Sequence, residues 1–161
     1  MKTLLLLRHA KASRDDADLP DHNRPLTDRG KKDAKRLGRQ LHDAKLVPDL
    51  IISSTARRAR KTASKVAKQT NYPRAIELTD RLYLSNAQEH LEVLRSVPDG
   101  EACIMLVGHN PGLSQFVSEL TDTDTELATA DLAQLELPIK HWSEIAKART
   151  VKLKKLWQAA D

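Results

Sequence analysis

The chain has 161 residues, enough for one domain with a full core, and residues 1–161 are expected to form a single unit. Its lone cysteine, Cys103, excludes an intrachain disulfide and a thiolate metal cluster, and Leu4–Leu7 behind Lys2 is too short for a signal h-region or a membrane span, so the cytoplasm is the expected compartment and no membrane partner is expected. The formal net charge of +5, from 27 Lys plus Arg against 22 Asp plus Glu, favours anionic ligands, while 3% aromatic residues leave little for base stacking and no nucleic-acid partner is expected.

In chain order, Thr3 to Leu7 reads as a buried strand stopping at Arg8-His9-Ala10-Lys11. A polar loop runs from Pro20 to Pro25. Thr27 is a suitable N-cap for a helix whose apolar face carries Ala34, Leu37, Leu41 and Ala44. Asp49 to Ser53 is a short strand, and Ser54 or Thr55 opens a helix with Ala59, Ala63, Val66 and Ala67 on one face. Asn71-Tyr72-Pro73 ends that helix. Ala75 to Leu78 is a weak strand, and Ala87 to Leu94 a helix with Leu91 and Leu94 turned inward. Pro98-Asp99-Gly100 leads into a strand over 102–107, where Cys103 is expected to be an inert core thiol. Leu113 to Leu120 reads as a helix, 121–125 as a surface loop and 130–137 as a strand. A brief helix over 142–146 precedes Thr150 to Trp157, which reads as a strand or, given Lys152, Lys154 and Lys155, as a terminal helix. Strands alternating with helices predict an α/β three-layer sandwich with a mainly parallel central sheet and one or two antiparallel strands at the end of the chain.

The chemistry gathers at strand ends, where open α/β sheets bind their ligands. Two apolar strands deliver a histidine each, His9 after Arg8, and His109 within Gly108-His109-Asn110-Pro111-Gly112. A third strand end is followed by Arg57-Arg58-Ala59-Arg60-Lys61 at a helix start, where free backbone N–H groups favour phosphate. Cations oppose the helix field there, so the cluster points to an anion. Arginines beside a histidine lower its pKa by like-charge repulsion, which keeps it neutral and nucleophilic. The spacings of zinc sites, calcium loops and P-loops are absent, and no metal or organic cofactor is expected.

These motifs resemble the histidine phosphatase superfamily, with its phosphoglycerate-mutase-like fold, and specifically the short SixA-type phosphohistidine phosphatase branch. The resemblance is carried by Leu-Leu-Leu-Leu-Arg-His-Ala at the start, Arg24-Pro25-Leu26-Thr27-Asp28-Arg29-Gly30, Ser53-Ser54, Arg58-Ala59-Arg60-Lys61-Thr62, and Gly-His-Asn-Pro at 108–111. It implies that His9 is a transiently phosphorylated nucleophile and that Arg8, Arg58 and His109 complete the phosphate pocket, His109 also stabilising the moving phosphoryl group. Asn110 is a further candidate through its backbone or amide.

A general acid is not marked in the sequence. Glu77, Asp80 and Glu89 lie in the region where larger superfamily members carry one, but no motif singles one out. Asp15, Asp16, Asp18 and Asp21, in the loop behind His9, are alternatives. Since acid help is typically worth ~10²–10⁴-fold, its absence favours a leaving group that needs none. The resemblance therefore implies hydrolysis of protein phosphohistidine, with a phosphorylated protein as partner, such as a histidine phosphotransfer protein. A small phosphate ester as substrate, or a non-enzymatic phosphate- or nucleic-acid-binding module, are the alternatives.

Overall fold

The computed structural model describes residues 1–159. Its frame is a six-stranded sheet of β1 (Lys2–Arg8), β2 (Leu50–Ser54), β3 (Glu77–Thr79), β4 (Cys103–Gly108), β5 (Leu132–Leu137) and β6 (Lys152–Trp157), in the order β3-β2-β4-β1-β5-β6. The first four strands run parallel; β5 is antiparallel to β1, and β6 to β5. Both terminal strands are thus antiparallel, within the one or two expected.

Alternation along β1 builds a core on each side of the sheet. Leu5 and Leu7 pack with Ile51, Met105 and Val107 against Ala34, Leu37 and Leu41 of α1 (Asp28–Asp43) and Ala59, Ala63 and Val66 of α2 (Arg57–Thr70). Leu4 and Leu6 face Val93 and Leu94 of α3 (Ala87–Arg95), Leu113, Phe116 and Val117 of α4 (Gly112–Thr121), and Trp142 of a 3-10 helix over 142–147. Burial on both faces is why these strands read as unbroken apolar runs. The layers are helix, sheet, helix, which is the α/β three-layer sandwich with a mainly parallel central sheet expected from the sequence.

Two local readings are corrected and two are made more definite. The second helix opens at Arg57 behind Ala56, not at Ser54 or Thr55, because Ser54 still belongs to β2 and its hydroxyl accepts from Ala56 N at 3.2 Å. Strand β5 starts at Leu132: Ala130 is left-handed (φ 62°) and its N–H reaches the carbonyls of Arg8 and His9, both at 3.1 Å. In α3 the expected Leu94 is buried together with Ala87, His90 and Val93, and Leu91 packs partly buried against the same core. The last segment is strand rather than helix. A bulge opposite Gln134 and Leu135 absorbs the Lys154-Lys155 break in alternation, and exposed lysines suit an edge strand. Cys103 begins β4, and burial, with the Asp49 carboxylate beside it, pushes its thiol up to about 12, so it stays protonated.

Among the described residues no helix is long and apolar enough to cross a membrane.

Candidate active site

Strands β1 and β4 are hydrogen-bonded neighbours in parallel register, Arg8 opposite Gly108, so the residues after them emerge side by side. The N–H of His9 donates to Gly108 O at 3.1 Å, and the rings of His9 and His109 lie 5.0 Å apart, tilted by 54°. Helix α2 starts at the same edge and brings Arg58. A cleft of about 350 Å³ is lined by Arg8, His9, Arg58 and His109 together with Asp21, Arg24 and other residues of the 11–24 loop.

Motif residues hold this edge together. Ala10 N donates to the Thr62 hydroxyl at 3.0 Å, and that hydroxyl donates to Arg58 O at 2.7 Å, tying the turn after His9 to the first turns of α2. Thr27 caps α1 through Gly30 N at 2.9 Å. A Cβ on Gly30 would sit 2.2 Å from Lys11 O, so only glycine lets α1 approach the chain leaving His9.

His9 is almost fully buried, and its Nδ1 lies 2.7 Å from Ala10 O. A carbonyl only accepts, so Nδ1 carries the proton and Nε2 keeps its lone pair. Desolvation is the main reason its pKa falls to about 4; the Ala10 carbonyl works the other way, and Arg58, Arg8 and Arg24 add repulsion. Burial therefore dominates, and the arginine repulsion read from the sequence is the smaller contribution. His109 is pushed to about 3 by burial, then by His9 and Arg58. Its Nε2 pairs with Ser54 Oγ at 2.8 Å, while its Nδ1 is buried without a hydrogen-bond partner among the described residues.

Arg8 donates from Nη1 to Leu127 O at 3.0 Å. Arg58, its side chain 4% exposed, gives Nη1 to Asp21 O at 2.7 Å and Nη2 to Asp21 Oδ2 at 3.0 Å. The same carboxylate accepts from Arg24 Nη1 at 2.9 Å and from the Tyr83 hydroxyl at 2.6 Å. These bonds, Tyr83 first, hold Asp21 well below the usual carboxylate range. The loop carrying it is pinned further by Arg24 Nε to Ser13 O at 3.0 Å and His22 Nε2 to Thr55 Oγ1 at 2.8 Å.

Asn110 lines the cleft, but its amide is committed elsewhere: Oδ1 accepts from Ser114 N and Oγ, and Nδ2 donates to Leu127 O. Both ends of its amide thus fix the loop. Of the alternatives for a general acid, Asp21 alone lines the cleft, and it is held ionised. Asp80 accepts from Thr55 and Glu89 pairs with Arg81 at 3.2 Å, both outside the cleft lining. Ser54, Arg24 and Tyr83 are site residues without an assigned role in the sequence reading. The first two stand inside quoted motifs, whereas nothing around Tyr83 signals its part. Among the described residues no group of three or more His, Cys, Asp or Glu side chains is placed to hold a metal ion.

Comparison with known proteins bears on the family and the fold. The model of the histidine phosphatase superfamily (branch 1) matches residues 4–83, a span containing Arg8, His9 and Arg58. An uncharacterised chloroplastic protein of Arabidopsis thaliana is 33% identical over 153 residues, covering 89% of this chain and 70% of its own. A solved structure from Nakamurella multipartitia, described as a candidate phosphohistidine phosphatase SixA, superposes with a TM-score of 0.82 at 27% identity, over 98% of this chain and 95% of the other. The protein histidine phosphatase SixA in complex with tungstate has the same fold, with a TM-score of 0.84 at 21% identity over 98% and 97% of the two chains. The chain belongs to the histidine phosphatase superfamily, in its SixA-like branch.

Proposed function

We propose that this protein is a metal-independent phosphatase of protein phosphohistidine, its described chain forming one catalytic domain that works in the cytoplasm. The reaction runs in two displacements at phosphorus. His9 Nε2, whose lone pair is kept free by the Nδ1–H bond to Ala10 O, attacks the phosphoryl group of a substrate imidazole protonated on its distal nitrogen. The N–P bond of the substrate breaks, its electron pair returns to that ring, and neutral imidazole leaves. Phospho-His9 retains the Nδ1 proton and is itself a cationic ring, a good leaving group. Water then attacks phosphorus, the pair returns to Nε2, both water protons end on dihydrogen phosphate, and the starting tautomer of His9 is restored. Arg8, Arg58 and His109 would bind the phosphoryl oxygens, fixed donors aimed at the developing charge.

One observation carries the choice of substrate. Asp21 is the carboxylate lining the cleft, and its three side-chain donors keep it ionised. It has no proton to give to an alkoxide, so the site suits phosphoramidates. The tungstate bound by a SixA protein of the same fold supports an oxyanion pocket. The partner is then a phosphorylated protein, such as a histidine phosphotransfer domain.

The test compares turnover of a phosphohistidine protein with that of an alkyl ester, glycerol phosphate, with EDTA present and with His9→Ala as control. Fast turnover of the first alone, lost in the variant, is the expected result. Comparable turnover of the alkyl ester would replace the proposal by a small-ester phosphatase.

A further inference from the structure

The 21–24 turn places a negative charge beside the phosphate pocket. An oxyanion pocket with Arg8, Arg58 and Arg24 around it gains nothing for its anion from a carboxylate, which repels phosphate. Yet Asp21 lines the cleft with its side chain 44% exposed, close enough to give Arg58 both an acceptor oxygen and a main-chain carbonyl. That charge pairs with Arg24 and with the buried Arg58, and it is also the acidic side chain of the cleft lining.

We infer that Asp21 selects substrates by the charge of the group that leaves: its carboxylate favours a ring departing from its protonated, cationic form and disfavours esters that carry a second anion beside the phosphate. This rests on the proposed phosphohistidine reaction. An ionised carboxylate within a few ångströms favours the protonated form of an imidazole, the form from which the N–P bond breaks with neutral imidazole leaving. The same charge opposes the carboxylate of a phosphorylated hydroxy acid. Tyr83 and the two arginines keep Asp21 charged. Asp21 thus acts on the leaving group, while the arginines and His109 act on the phosphoryl group.

Two measurements test this, with Asp21→Asn as the near-isosteric neutral variant, Asp21→Ser as a second neutral variant, and Asp21→Glu to restore charge. The first is binding to the whole protein of phosphoethanolamine and 2-phosphoglycolate, which differ in the sign of the remote charge. Both neutral variants are expected to shift the affinity ratio toward phosphoglycolate by about threefold to tenfold, as for one partly screened charge at this range, and Asp21→Glu to return most of it. The second is turnover of phosphoimidazole, expected to fall by about tenfold or more in Asp21→Asn while that of p-nitrophenyl phosphate falls less. Equal losses for every probe, with both ratios unchanged, would make Asp21 a purely structural anchor of Arg58 and overturn the inference. The binding ratio stands whether or not phosphoimidazole is hydrolysed. A wild-type protein that turns over no phosphoramidate would count against the proposed reaction, and an unmoved binding ratio against the role of Asp21.

Discussion

The Nδ1 of His9 points at the carbonyl oxygen of the very next residue, Ala10, at 2.7 Å. This short bond decides the ring's tautomer and leaves Nε2 as its only nucleophilic atom. The expected outcome in a ¹⁵N NMR titration is an unprotonated Nε2 at pH 7 that takes up a proton only near pH 4. The acid limb of kcat/KM assigned to His9 should fall in the same region, since that parameter reports the free enzyme. A His9 titration near pH 6.5 would contradict the buried, neutral nucleophile.

Acid stability follows from the same two rings. In the unfolded chain His9 and His109 take up protons below about pH 6.5, while in the folded chain they resist until about 4 and about 3. The unfolded state binds more protons through that window, so their contribution is fully present above pH 6.5 and is lost as pH falls. For His9 the full loss is of the order of ~3 kcal/mol. Urea denaturation between pH 7 and 4.5 should show a steep decline that His9→Asn makes shallower. An unchanged slope in the variant would argue against the shift.

Three glycines separate close packing from mere turn composition. A Cβ on Gly112 would lie 1.9 Å from Ser85 O, and one on Gly30 would lie 2.2 Å from Lys11 O, both main-chain atoms; one on Gly100 meets nothing within 4 Å. Gly112→Ala and Gly30→Ala should each cost about 1–3 kcal/mol or more in denaturation midpoint analysis, as overpacking does. Gly100→Ala should be close to neutral by the same measurement.

The sheet and both histidine-bearing strand ends were legible because Leu4–Leu7 and Ile104–Val107 are apolar runs buried on both faces. The start of α2 was misplaced because Ser54 looks like a cap, while it completes β2 and supports His109. Ala130 read as strand because its left-handed turn is imposed by the carbonyls of Arg8 and His9, a tertiary demand with no local mark. Asp21 was one of four candidate acids in one loop. Only the path of that loop, pinned through Arg24, His22 and Arg58, separates it from Asp15, Asp16 and Asp18. Tyr83 could not be found at all, since it reaches Asp21 from 62 residues away in sequence.

Ser54 supports the second histidine. Its hydroxyl is 2.8 Å from His109 Nε2 and also accepts from Ala56 N. Ser54→Ala should cost about 1–3 kcal/mol of stability, the usual range for orphaning buried polar groups. Steady-state kinetics should show kcat reduced with KM little changed, and Ser54→Thr should recover part of the loss. A pure KM effect would place His109 in ground-state binding only.

The most direct measurement of the central claim is to trap the phosphoenzyme. Alkaline quenching during turnover of a phosphohistidine protein, followed by peptide mass spectrometry, should find one phosphoryl group on the peptide containing His9. It should be absent in a folded His9→Ala protein and present, decaying more slowly, in Ser54→Ala. Turnover without any phosphorylated His9, or phosphoryl transfer to another residue, would contradict the account.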